Sequence, residues 1–210
     1  MDVMTPPGDG GPQESRVRAL LARIAADSDL SARFLNTLSL MEHIGSRKIM
    51  VSQAGALHGE TLKHLAEETR HAFFFKRAAE ALAGRTLDYG ADDVLAGPQA
   101  RLYMGRLDAV IARQVSGGAA YLYMSTIVEI RAVWFYRLFD QVLKAAGRSL
   151  KLSGLLAEEE NHLADMRARL ADPLMETRLE AFTAQENIQF ARLLDGLEEA
   201  VFAVAAPLNA

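Results

Sequence analysis

Two short segments join a carboxylate to an imidazole at helical spacing: Glu68-Thr69-Arg70-His71 and Glu159-Glu160-Asn161-His162. In a helix, residues i and i+3 lie one turn apart on the same face. Each pair can therefore offer an oxygen and a nitrogen to one metal ion, or reach from one ion toward a second. Two further glutamates stand inside apolar stretches. Glu42 lies in Leu38-Ser39-Leu40-Met41-Glu42-His43-Ile44, and Glu129 in Met124-Ser125-Thr126-Ile127-Val128-Glu129-Ile130. The chain order is thus Glu, Glu-x-x-His, Glu, Glu-x-x-His. Burying four unpaired carboxylates is very costly. Two divalent cations against four negative charges would remove that cost. Without metal, crowding is expected to protonate some of the carboxyl groups.

The 210-residue chain contains no cysteine. That excludes disulfides, Cys-ligated zinc, iron–sulfur clusters and a thiol nucleophile. Oxygen-rich donors with two imidazoles favour iron or manganese over structural zinc. The expected metal ligands are Glu42, Glu68, His71, Glu129, Glu159 and His162, with Glu68 and Glu159 bridging and Glu42 and Glu129 terminal. An i, i+4 reading would instead use Glu67 or Glu158. His64, one turn before Glu68, is expected as an outer group, an occasional ligand or a packed core histidine. Asp165 either orients an imidazole or is a surface charge. Tyr121 and Tyr136 are the candidate catalytic tyrosines, able to donate to bound oxygen or carry a radical; a packed, hydrogen-bonded tyrosine is the commoner case.

The elements that must position these groups are helices. After Ser15 the chain is rich in Ala, Leu, Arg, Glu and Met, with few β-branched runs and widely spaced breakers. Helices are expected over about 15–26, 30–51, 60–82, 99–113, 119–146, 150–170 and 174–205. Glu42 and Glu68 are equidistant from Gly55, each about 20 Å away at 1.5 Å rise per residue, so an antiparallel hairpin sets them level. Glu129 and Glu159 have Lys144 as midpoint, a looser match to the turn at Gly147 to Ser149. The long separation of the two hairpins calls for a crossover that carries the 99–113 helix. The expected fold is all-α: a four-helix bundle with a long crossover and additional N- and C-terminal helices. Residues 1–15 are read as a disordered leader and 16–210 as one domain. The bundle would occupy about 30–170, and an extra helix about 174–205.

On these residues the chain resembles the ferritin-like di-iron carboxylate superfamily over about Leu30 to Leu170. Its four-helix bundles draw a Glu from each of two helices and a Glu-x-x-His from each of the other two. Rubrerythrins, bacterioferritins and di-iron oxygenases share the ligand pattern, but the Cys-ligated module usual in rubrerythrins is absent here. The resemblance implies two iron ions, with manganese or a mixed Mn/Fe pair as the variant. It also implies an O2-activating oxidase or oxygenase that acts on a small, hydrophobic substrate. With no cysteine to relay electrons, an external donor or the substrate must supply them. A ferroxidase that handles iron is the alternative, and it predicts a hollow oligomer. A bundle with a vestigial site, serving only as a structural or partner-binding module, is a third reading.

Composition is consistent with a soluble chain. It is 50% hydrophobic and 24% charged, with a net charge of −4. Neither nucleic acid nor membrane is an expected partner, and a homodimer is possible. The start of the chain lacks a basic segment and an apolar run, so a cytoplasmic location is expected.

Overall fold

A computed structural model describes residues 12–55, 58–170 and 173–202. It contains seven helices and no strand among the described residues, so the all-α expectation holds. They are α1 (Pro12–Ala25), α2 (Ser28–Ser52), α3 (Gly59–Ala83), α4 (Gly97–Ala112), α5 (Gly117–Ala145), α6 (Ser153–Arg169) and α7 (Pro173–Phe202). The α1 helix begins at Pro12, inside the stretch expected as leader. The rest of that stretch, residues 1–11, and the expected end of the last helix at 203–205 lie outside the described residues.

Local chemistry sets the helix ends. The Asp27 carboxylate accepts from the amides of Asp29 (3.0 Å) and Leu30 (3.1 Å), which satisfies two of the orphan donors at the start of α2. Those amides hold the Asp27 carboxyl below its ordinary range, the Leu30 amide most strongly. At the end of α3, Gly84 closes the helix in the left-handed region, with φ of 65°.

The α2 and α3 helices form one antiparallel hairpin, and α5 and α6 form the other. They meet through α2 against α5 and α3 against α6. Glu42 lies ten residues before Ser52, and Glu68 nine after Gly59, so the two are level. The second hairpin reaches its register differently. Glu129 lies 16 residues before Ala145, whereas Glu159 lies only six after Ser153. That is a difference of about 15 Å at 1.5 Å rise per residue. Residues 146–152 are not helical and can climb that distance at ~3.3 Å per residue. This segment explains the looser sequence match. It also explains why Leu152, rather than Ser149, precedes the first turn of α6.

Outside the four bundle helices, α1 packs on α5, α2 and α7, while α4 lies among α7, α2 and α5. The core is continuous across all of them, from Leu20 and Leu21 of α1 through Phe34, Phe75, Leu107, Phe139, Phe182 and Leu194. A second buried polar cluster ties α4, α5 and α7 together. The Arg131 guanidinium donates to both oxygens of Glu186 (2.9 and 2.8 Å), and the Tyr103 hydroxyl donates to Glu186 at 2.8 Å. Arg131 also lies over the rings of Phe190 and Trp134, at 4.1 and 4.9 Å. The cluster joins α7 to the bundle helix that carries Glu129. No helix among the described residues is long and apolar enough to cross a membrane.

Candidate metal centre

Seven buried side chains converge between the two hairpins: Glu42 from α2; His64, Glu68 and His71 from α3; Glu129 from α5; Glu159 and His162 from α6. Positions 64, 68 and 71 share one face of α3 because helical periodicity returns every three to four residues. The structure therefore brings all six sequence-derived ligands together and adds His64.

The seven fall into two groups. His64, Glu68, Glu129 and His162 form one, and Glu42, Glu68, His71 and Glu159 form the other. Within each, one ligand atom per residue lies within 4.8 Å of all the rest. Glu68 belongs to both. Glu159 also faces two ways, with Oε1 3.0 Å from His71 Nδ1 and Oε2 3.4 Å from His162 Nδ1. These two are the residues expected to bridge. Glu129 Oε1 stands 3.3 Å from His64 Nε2 and 3.6 Å from His162 Nδ1. Ligands about 2.0–2.2 Å from one ion are separated from each other by roughly 3–3.5 Å, the spacing found here.

Hydrogen bonding supports a metal at this position. His64 Nε2, His71 Nδ1, His162 Nδ1 and Glu159 Oε2 are all buried without a hydrogen-bond partner. Native proteins rarely leave such groups unsatisfied. All four point into the same small volume, so one pair of cations would satisfy them together. Gly45 makes room for the shared carboxylate: a Cβ there would stand 2.9 Å from Glu68 Oε2.

The outer nitrogens explain how the imidazoles are aimed. His71 Nε2 lies 2.7 Å from Glu158 Oε2, and His162 Nε2 lies 2.6 Å from Glu67 Oε2. An ionised carboxylate only accepts, so each Nε2 must donate, and in the neutral ring Nδ1 keeps its lone pair for the centre. The pairing is reciprocal. Each Glu-Glu-x-x-His segment offers its second glutamate to the cluster, and its first braces the histidine of the other segment. Arg70 adds a donor to Glu158 at 2.7 Å. His64 uses the opposite nitrogen, with Nδ1 2.7 Å from the Tyr121 hydroxyl and Nε2 facing the carboxylates. Tyr136 donates from its hydroxyl to Glu42 Oε1.

Several sequence expectations change in detail. Glu67 and Glu158 lie outside both candidate metal groups and contact the outer nitrogens of His162 and His71. The doubled glutamate of each segment was the visible signal for them. His64 stands within one of the two groups that could hold a metal, level with the expected ligands. Asp165 is exposed, and the bond from His162 Nε2 goes to Glu67. Tyr121 and Tyr136 both touch the cluster, through His64 and Glu42 respectively. Outer carboxylates of this type typically contribute 10–100-fold in metal affinity. Glu158→Gln and Glu67→Gln are each expected to weaken equilibrium metal binding by that factor while leaving the fold intact, as read by titration and circular dichroism.

The metal-free electrostatics follow from crowding. Burial, then the charges of Glu68 and Glu159, raises the Glu42 carboxyl well above its ordinary range. Burial and Glu159 push Glu129 up to about 8. Burial opposes charge on the imidazoles, but the surrounding carboxylates overcome it. They push His64 up to about 12, His71 to about 9 and His162 to about 10. Glu159 moves the other way: its burial opposes ionisation, but His162 and His71 override that and hold its carboxyl low. The site is thus a set of negative groups that retain protons until something more positive displaces them.

Three spaces adjoin the cluster, the smallest a void of about 40 Å³ against His64, Glu68 and Glu129, beside Lys48 and Met124. The other two are larger. One is an apolar cavity of about 90 Å³, walled by α2, α4, α5 and α7 through residues such as Phe34, Met104, Phe135 and Leu193. Glu42, Glu68, Glu129 and Glu159 form its polar end. The other is a polar cleft of about 430 Å³ where α3 and α5 begin and α6 ends; it reaches His64 and His162. Comparison with known protein families, curated proteins and solved structures finds no match.

Proposed function

We propose that this protein is a ferritin-like di-metal carboxylate oxidase or oxygenase that activates O2 toward a small apolar substrate. The observation that supports it best is the apolar cavity placed directly against the four carboxylates. A centre serving only to hold structure has no need of an adjoining void. Glu42, Glu68, Glu129, Glu159, His64, His71 and His162 would hold the pair of ions, with iron favoured over manganese. When bound, a redox-active pair supplies electrons to O2, and the substrate or an external donor supplies the remainder.

The chain's own residues have separate tasks. Glu68, which belongs to both ligand groups, and Glu159, which faces both His71 and His162, would hold the two ions together. Glu67 and Glu158 fix the direction of His162 and His71. Tyr136 holds a proton on its hydroxyl against Glu42 at the edge of the cavity, where a proton donor to reduced oxygen is needed. The apolar walls exclude water from the reacting groups.

The test is anaerobic loading with ferrous iron, followed by addition of O2. Two irons per chain, consumption of O2 and a transient optical band are expected. A single bound ion that leaves O2 untouched would overturn the reading. Size-exclusion chromatography separates it from iron storage, because a hollow oligomer is expected only for a ferroxidase.

A further inference from the structure

The two larger spaces beside the centre differ in chemistry as well as position. A hydrated dication loses much solvation energy on entering an apolar void, whereas an uncharged apolar molecule gains by leaving water. The 90 Å³ cavity offers no cation whose charge is unpaired. Its one guanidinium, Arg131, has its charge met by Glu186 through two nitrogens and donates to Asn187 at 2.6 Å, and Nη1, buried without a partner, is the one donor left for an uncharged acceptor atom. The Tyr103 hydroxyl in the same wall is also committed to Glu186. An engineered apolar cavity of ~150 Å³ holds benzene, so this one suits a group of roughly four non-hydrogen atoms.

The cleft is far more polar, although Tyr121, Met166 and Ala168 also line it. Its walls include Glu60, Thr61, Lys63, Glu67, Asp165 and Arg169, and it ends on His64 and His162. A cation moving along it can exchange water for carboxylate, hydroxyl and imidazole donors one at a time. Glu60 and Asp165 are exposed at its rim.

We infer that the centre is served from two sides, with metal cations admitted through the polar cleft between α3 and α6 and a small uncharged apolar reactant held in the cavity beneath α4 and α7. This rests on the di-metal reading above. The separation keeps the polar, hydrated route away from the volume in which an oxidant would act.

The experiment pairs plugs on the two sides and uses cobalt(II) and xenon as probes on the full-length protein. Ala168→Trp fills the cleft, and Ala132→Phe or Leu193→Phe fills the cavity. Equilibrium cobalt stoichiometry is measured first. If the unaltered protein binds no cobalt, the di-metal reading itself fails. With stoichiometry equal to that of the unaltered protein, stopped-flow absorbance should show cobalt uptake slowed at least tenfold by Ala168→Trp. The cavity plugs should change it by less than twofold. Asp165→Lys should also slow uptake, with an effect that shrinks as salt rises. Crystals pressurised with xenon should hold it beside Phe34 and Met104 in the unaltered protein and in Ala168→Trp, and lose it in the cavity-plugged variants. Equal slowing by plugs on both sides, or no xenon in the cavity of the unaltered protein, would overturn the inference.

Discussion

Glu68→Ala is expected to abolish binding at both metal positions at once, lowering affinity by at least about 10³-fold, because Glu68 is the one residue common to both ligand groups. Glu42→Ala removes a ligand from one group only and should retain one ion. Thermal unfolding makes the contrast large. A ligand present at 100 times its dissociation constant stabilises by about 2.7 kcal/mol. Two ions then give roughly 5 kcal/mol, which is on the order of 10–20 °C for a chain of this size. The unaltered protein should show that gain on metal addition, Glu42→Ala about half of it, and Glu68→Ala almost none. The metal-free comparison runs in the opposite direction. Glu68 is the foremost of the charges that raise the Glu42 carboxyl. Its removal relieves repulsion, so metal-free Glu68→Ala should melt no lower than the metal-free parent. A Glu68→Ala protein that keeps the full metal-induced gain would exclude a shared centre.

The second large effect is that metal-free and metal-loaded protein should diverge in stability as pH rises from 6 to 9. In the unfolded chain the carboxyl groups titrate near 4.5 and the imidazoles near 6.5. In the metal-free fold, Glu129 titrates at about 8, Glu42 well above 4.5, His71 at about 9 and His162 at about 10. The folded state therefore binds more protons than the unfolded state throughout this window. Stability must fall as pH rises, by about 1.4 kcal/mol per pH unit for each proton of difference. Glu159, whose carboxyl is held low, is ionised in both states across the window and contributes no slope. Metal binding has the opposite sign, since cations must displace those protons, and affinity climbs with pH. Four such groups lose on the order of 10 kcal/mol over the three units, so the metal-free melting temperature should drop by roughly 20–40 °C, while the gain from added metal widens. Differential scanning fluorimetry with and without a chelator measures both trends. A metal-free protein whose stability rises from pH 6 to 9 would show that the buried carboxyl groups are not protonated.

The centre was readable in the sequence because its ligands obey local rules. Helical spacing puts Glu68 over His71 and Glu159 over His162 whatever the rest of the chain does. A glutamate within an apolar helix, as at Glu42 and Glu129, stands out because burial demands a partner for its charge. The level of Glu42 with Glu68 followed from counting residues either side of a short turn. The match of Glu129 to Glu159 was less clear, because the seven residues 146–152 climb without helical rise and a count at 1.5 Å per residue misses them.

What lay beyond local rules needed the folded chain. That His64 joins the buried cluster, that Glu67 and Glu158 cross over to brace His162 and His71, and that Asp165 does not, all depend on the rotation of α3 against α6. Spacing along one helix says nothing about that rotation. The same holds for α4 and α7, whose amphipathic sequences left their task open. Their Tyr103, Met104, Phe190 and Leu193 close the apolar cavity, and the buried Arg131–Glu186 pair fixes α7 against α5. Ligand types, their order and the all-α architecture are properties of sequence periodicity and charge. Which side of the centre is dry and which is wet is a property of packing between helices far apart in the chain, and only the tertiary structure decided it.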